Sequence, residues 1–148
     1  MIMRNVVVLA AMLALGCSQP SPMNGSGDGS TDRPYALTGD EKADWDGILR
    51  IEAEAKALAK TDGCSSAGQC RTAPVGSRAC GGPRYYLVYC ARTTDSAALF
   101  RKLDAVADAE RAYNVRYQIV STCEFRMPPT VALIGGMCAA QTSGRNNP

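Results

Sequence analysis

Hydrophobic and polar positions divide the chain into an apolar run from Val6 to Leu15, a polar stretch from Ser18 to Pro34, a patterned region over 35–141, and a short polar tail over 142–148. In the patterned region Trp45, Ile48, Leu49, Ala55 and Leu58 recur at helical spacing, which predicts a helix. Thr38-Gly39-Asp40-Glu41 has capping-box spacing at its start, and Asp62-Gly63 marks its end. Asp46 with Arg50 and Glu52 with Lys56 stand four apart, acid first, and are expected to pair on the wet face of that helix. A second helix follows the cap signal Thr94-Asp95. Leu99, Leu103, Val106, Ala107 and Tyr113 line one side of it, and Arg101, Lys102, Asp104, Asp108 and Arg111 the other.

Strand signals fill the gaps. Tyr85 to Cys90 is a β-favouring run behind Gly81-Gly82-Pro83, and Val115 to Val120 alternates in part. Thr130 to Ala140 reads as two apolar runs joined by Gly135-Gly136, a hairpin signal because both glycines accept positive φ. Gln69 to Val75 is expected as a short edge strand, limited by Pro74. There is no internal repeat. The order of elements predicts an α+β domain, with two helices packed on a small antiparallel sheet.

The apolar run near the start is about half the length that spans a bilayer. Met1 to Asn5 carries one positive charge and no acid, so residues 1–16 read as an export signal. Leu13-Ala14-Leu15-Gly16-Cys17 resembles the lipobox of bacterial lipoproteins, with Ala14 where Leu, Val or Ile is commoner. The resemblance implies cleavage before Cys17 and a diacylglyceryl group on its sulfur. With Ser18 behind it instead of Asp, it also implies transfer to the outer membrane of a Gram-negative envelope. Several acyl chains would make the attachment stable, at about 0.8 kcal/mol for each buried CH₂. Ser, Gly and Pro supply ten of the seventeen residues from Ser18 to Pro34, so the 17–34 segment is expected as a flexible tether with a reach on the order of 23 Å.

Composition narrows the function. Sixteen Lys+Arg against fourteen Asp+Glu leave +2 on 148 residues, and removal of Arg4 with the signal leaves fifteen against fourteen, or +1. That balance excludes a nucleic-acid binder and electrostatic capture by anionic lipid, so membrane contact is expected through the lipid alone. Histidine is absent, which removes Ser-His and Cys-His catalysis and His-ligated zinc. No phosphate-binding loop, nucleophile elbow or dinucleotide fingerprint occurs, and no cofactor is expected.

With Cys17 acylated, Cys64, Cys70, Cys80, Cys90, Cys123 and Cys138 remain. An even number in an exported domain with few large apolar residues predicts a disulfide framework, whose connectivity the sequence leaves open among 15 possibilities. No C-x-x-C spacing supports zinc or a thioredoxin-like centre. If one pair is labile, Cys64 and Cys70 are the candidates, being closest in sequence within a Gly/Ser-rich segment.

The segment Gly76 to Tyr86 is the strongest candidate for recognition. Its bland reading is a disulfide-pinned turn feeding the next strand, with the tyrosines in the core. Its functional reading is a binding loop made of Arg78, Gly81, Gly82, Pro83, Arg84, Tyr85 and Tyr86. Beside Pro83, Arg84 could enter the specificity pocket of a trypsin-like protease. The pattern Cys64/Cys70, Gly76 to Pro83, Tyr86 to Tyr89, Pro128-Pro129 and Cys138 is similar to a group of small exported bacterial proteins without assigned activity. The resulting expectation is a lipid-anchored envelope protein acting as a non-catalytic binding or inhibitor module, with an envelope protein as partner. The alternative is a peptidoglycan- or polysaccharide-acting enzyme that uses carboxylates alone, with pairs such as Asp44/Asp46 or Glu52/Glu54; at i,i+2 on a helix these diverge.

Overall fold

Two long helices and two short hairpins make up residues 35–141, the part of the chain described by a computed structural model. The signal segment, Cys17, the 17–34 tether and the 142–148 tail lie outside the described residues. The order is α1 (Glu41–Leu58), a 3₁₀ turn (Ala67–Gln69), β1 (Cys70–Val75), β2 (Tyr85–Cys90), α2 (Ser96–Arg116), β3 (Val131–Ile134) and β4 (Met137–Ala140). This is the expected α+β class, except that the strands form two separate two-stranded antiparallel sheets, β1-β2 and β3-β4, instead of one. None of the described helices is long and apolar enough to cross a membrane.

Local chemistry sets the element boundaries. Asp40, not Thr38, caps α1: its carboxylate accepts the Ala43 amide at 2.8 Å. Thr38 instead gives its amide and hydroxyl to Asp44, both at 2.7 Å. The helix stops at Leu58, short of the expected end, because the backbone beyond it is taken by other elements. Lys60 O accepts from the Cys90 amide at 2.6 Å and Thr61 O from the Cys138 amide at 2.8 Å. Asp95 caps α2 through the Ala98 amide at 2.9 Å.

The expected strand over Val115 to Val120 does not form. The stripe Val106, Ala109, Tyr113 continues to Tyr117 at helical spacing, and that burial outweighs the partial alternation. Val115 and Val120 are left almost fully exposed. The helix closes with Gln118 at φ 51° and the Ile119 amide on Asn114 O at 3.0 Å, the wide bond of a Schellman ending.

Both expected hairpins form. In β1-β2 the register runs from Cys70 opposite Cys90 to Val75 opposite Tyr85, and Pro74 lies on β1, a strand that pairs on one side only. In β3-β4 Ile134 faces Met137 across Gly135-Gly136, whose φ values of 58° and 82° fit a type I′ turn.

The interior has three parts. α1 and α2 pack through Ile48, Val106, Ala109 and Tyr113, with Trp45 against the Tyr113 ring. Farther along, Ala55, Leu99 and Leu103 meet Ala73, Val75 and Tyr89 of the first hairpin. The third part is built from sulfur: Cys64, Cys70, Cys90 and Cys138 are all buried, with Val88, Val131 and Leu133 around them.

The disulfide framework is present as Cys64–Cys90, Cys70–Cys138 and Cys80–Cys123, with Cα separations of 5.7, 5.4 and 5.3 Å. Cys64 and Cys70 are thus not bonded to each other. Cys70–Cys138 ties β1 to β4, holding together two sheets that share no ladder. In the chain-entropy account each bridge contributes about 3.5–4.5 kcal/mol by restricting the unfolded chain.

Both sulfurs of Cys80–Cys123 belong to exposed residues, while the other four cysteines are at most 7% exposed. Mild reductant is therefore expected to open Cys80–Cys123 first, with Cys80 and Cys123 alkylated while the fold persists. Peptide mapping of the alkylated protein measures the order; simultaneous loss of all three bridges would contradict it.

Candidate functional site

Glu52 on α1 and Glu110 on α2 interrupt the apolar stripes of their helices, and their side chains are 4% and 1% exposed. A carboxylate that deep requires hydrogen bonds, a cation or both. Arg84, at the end of the loop before β2, supplies them. Its Nε donates to Glu110 Oε1 at 2.7 Å, and its Nη2 bonds both that oxygen, at 2.6 Å, and Glu52. The hydroxyl of Tyr85 and the ammonium of Lys56 each reach Glu52 Oε1 at 2.6 Å. The Ser77 amide donates to Glu110 at 2.6 Å, and the Arg84 guanidinium sits 5.3 Å from the Trp45 ring centre.

Burial pushes the Glu52 carboxyl up, but bonds from Lys56, Tyr85 and Arg84 outweigh it and hold the group below its ordinary value. Burial likewise works against the Arg84 charge, and Glu110 and Glu52 more than restore it. The Tyr85 hydroxyl is raised by burial and then by Glu52. Gly76 makes the approach possible. Its φ is 73°, and a Cβ there would collide with the Glu110 carboxylate and lie 2.8 Å from Arg84 Nε.

A third buried carboxylate, Asp44, works without a cation. Asp44 accepts from Thr38, from the Gly39 amide at 3.2 Å and from the Tyr117 hydroxyl at 2.6 Å. Burial raises its carboxyl, yet the bonds from Tyr117, Thr38 and Gly39 bring it down to about 2. Burial and then Asp44 push the Tyr117 hydroxyl up to about 12.

The 76–86 loop therefore divides. Arg84 and Tyr85 turn inward to Glu52, which corrects the reading of Arg84 as a residue presented to a protease pocket: 26% of its side chain is exposed, and withdrawing it would leave buried Glu110 without its cation. Arg78, Gly81, Gly82, Pro83 and Tyr86 face outward. With Cys80, Cys123, Glu124, Phe125 and Arg126 they line a groove of about 310 Å³ between the loop and residues 121–126. That second wall has no regular structure. It is held by Cys80–Cys123, by Arg78 on the carbonyls of Thr122 and Glu124, by the Cys80 amide on Ser121 Oγ at 3.0 Å, and by the Tyr86 hydroxyl on Arg126 O at 3.2 Å. Phe125 in this wall is 87% exposed. A second, shallower cleft of about 390 Å³ lies beside Trp45, Arg84 and Glu110.

The carboxylate pairs weighed from sequence do diverge. Asp44 and Glu52 turn in, whereas Asp46 pairs with Lys42 at 2.5 Å and Glu54 with Lys102 at 2.6 Å on the outside. Asp46 thus pairs with Lys42 and not Arg50, and the Glu52–Lys56 pair sits on a buried acid instead of a wet face. Glu110, Phe125 and Arg126 carry no expectation from the sequence, and Trp45 is expected there only as part of the helical stripe. Glu52 and Glu110 were legible in principle, as carboxylates placed on apolar stripes. Phe125 gave no such signal. The sulfurs of Cys64, Cys70 and Cys138 lie within 4.8 Å of one another, but they belong to two disulfides, which lack the thiolate a metal needs. Compared with protein-family models, curated proteins and solved structures, the chain finds no match.

Arg84→Met is expected to cost about 3 kcal/mol of stability at neutral pH, as removal of one member of a buried ionic network does. Part of the loss returns on acidification, because protonation removes the uncompensated charge. Urea denaturation at pH 7 and pH 5 measures both; a loss below about 0.5 kcal/mol at pH 7 would show the network to be dispensable.

Asp44 gives the wild type its own acid sensitivity. Its carboxyl lies at about 2 when folded against an ordinary 3.8. The contribution is therefore present above about pH 4 and lost as pH falls toward 2. Thermal midpoints between pH 5 and 2 are expected to fall less steeply for Asp44→Asn than for the wild type, and equal slopes would exclude this role.

Proposed function

We propose that this chain is a lipid-anchored cell-envelope protein whose folded domain is a non-catalytic binding module for an envelope protein partner. The observation that carries the binding part is the groove between the 76–86 loop and residues 121–126, cross-braced by Cys80–Cys123 and flanked by the exposed ring of Phe125. A disulfide-pinned wall loses little freedom on binding, which favours affinity. An exposed aromatic at its rim is the kind of side chain that dominates interfaces.

The arrangement of the acids argues against the alternative, a carboxylate-only hydrolase. Such chemistry needs one carboxyl that stays protonated to act as general acid. The acids that converge, Glu52 and Glu110, share Arg84, and Glu52 is held below its ordinary value. The anchor rests on the lipobox-like Leu13 to Cys17 and on the Ser/Gly/Pro-rich stretch behind it. Binding by insertion of Arg84 into a protease is not part of this reading.

A photo-cross-linking residue at position 125, in the full acylated chain within living cells, is expected to give one discrete protein adduct. The same residue at position 104, on the outer face of α2, should give none. Cys17→Ser should move the protein out of the membrane fraction and weaken the adduct. Equal yields at 125 and 104 would remove the binding assignment, and a Cys17→Ser protein that stays in the membrane would remove the anchor.

A further inference from the structure

We propose that Cys80–Cys123 is a thiol–disulfide exchange site, reduced by a protein dithiol. Its reduction unfastens the outer wall of the groove and withdraws the surface that meets the partner, a consequence that rests on the binding reading above. Both cysteines are exposed residues and both line the groove, where a donor sulfur approaches without opening the fold. The other four cysteines are buried, so an attacking thiolate reaches their bridges only after the hairpins separate. Charge favours the same bridge. Among the residues lining the groove, Arg78 and Arg126 stand against Glu124 alone, and a net positive lining favours both the arriving thiolate and the one that leaves.

The bridge holds a stretch of chain that has little else to hold it. Between Ile119, packed on the helix pair, and Val131, the first residue of β3, there is neither helix nor strand. Val120, Phe125 and Met127 are 93%, 87% and 70% exposed, so the large apolar side chains of this stretch stay in solvent. Its hydrogen bonds to the 76–86 loop are those of Arg78 to Thr122 and Glu124, of the Cys80 amide to Ser121 and of Tyr86 to Arg126, all in exposed surroundings. Such bonds contribute little against water once the covalent tie is gone. The two buried bridges and the Arg84 network hold the helices and hairpins without it. Reduction therefore frees residues 120–130 as a loop anchored at both ends, and the ordering cost that the pinned wall avoids returns on binding.

The exchange moves two electrons. A donor thiolate attacks one sulfur of the bridge, the S–S bond breaks, and its electron pair leaves on the other cysteine, which takes up a proton. The donor's second thiol, deprotonated, then displaces the first cysteine from the mixed disulfide. The donor ends as a disulfide, and Cys80 and Cys123 as two thiols.

The test uses thioredoxin with its second active-site cysteine replaced by serine, which attacks a disulfide without completing the exchange. It is mixed with the full acylated, disulfide-intact chain in detergent micelles. Peptide mapping is expected to place the trapped mixed disulfide on Cys80 or Cys123. A mixed disulfide on any of the other four cysteines, or none, overturns the exchange site. After reduction by unmodified thioredoxin, amide hydrogen exchange at residues 121–126 should rise at least about ten-fold. The amides of Cys90 and Cys138, bonded to Lys60 O and Thr61 O, should keep their protection. Unchanged exchange at 121–126, or loss of protection at Cys90 and Cys138, overturns the release of the wall. In cells, Cys80→Ser/Cys123→Ser is expected to lower the adduct from position 125 about ten-fold, as when a few side chains must be ordered anew. If that double variant does not fold, the reduced and alkylated chain, cross-linked in isolated membranes, takes its place. An undiminished adduct overturns the control of binding while the binding reading stands. No adduct with both cysteines intact removes the binding reading and its control together, and trapping then decides the exchange site by itself.

Discussion

The ionic network of Arg84 with Glu52 and Glu110 is the constraint on which the rest of the domain depends. One guanidinium is shared by a residue of α1 and a residue of α2, and it belongs to the loop that enters β2. Among the described residues Arg84 is the cation paired with Glu110, Glu52 has Lys56 besides, and the two acids compensate the half-buried guanidinium. The helix pair and the first hairpin are thereby placed together by a single set of bonds. The absent side chain of Gly76 and the amide of Ser77 belong to the same arrangement, since both concern the oxygens of Glu110.

Sulfur does the complementary work at the other end. The apolar interior is thin, with alanine at three of its buried positions, and it gives way to the paired half-cystines Cys64–Cys90 and Cys70–Cys138 where the two hairpins meet. Those hairpins share no ladder, so a covalent link between β1 and β4 replaces the hydrogen bonds a continuous sheet would have supplied. The third bridge lies outside, and it braces a stretch of chain that has neither helix nor strand to hold it. Two buried bridges thus serve the fold, and the exposed one shapes a surface.

This division separates polar groups bonded within the fold from those on its surface. The buried carboxylates each accept several donors from other elements, which suits architecture. On the outer side of the 76–86 loop the groove is lined by the charged residues Arg78, Glu124 and Arg126. The loop has both tasks because alternate side chains point opposite ways as it enters β2: Tyr85 inward to Glu52, Tyr86 outward to Arg126.

Sequence alone was enough for the two helices, for the strands over Cys70–Val75 and Tyr85–Cys90, for the Gly135-Gly136 hairpin and for a framework of six cysteines, because each rests on local periodicity, turn chemistry or composition. Adjacent contributions decided the rest of the local detail: Asp40 displaced Thr38 as cap once Thr38 had bonded Asp44, and Tyr117 on the helical stripe displaced a strand at Val115 to Val120. Which cysteines pair, why there are two sheets, and what Arg84 does belong to the tertiary structure. Each depends on partners 26 to 68 residues away in the chain, whose approach is set by packing and not by any pattern that a window of sequence contains.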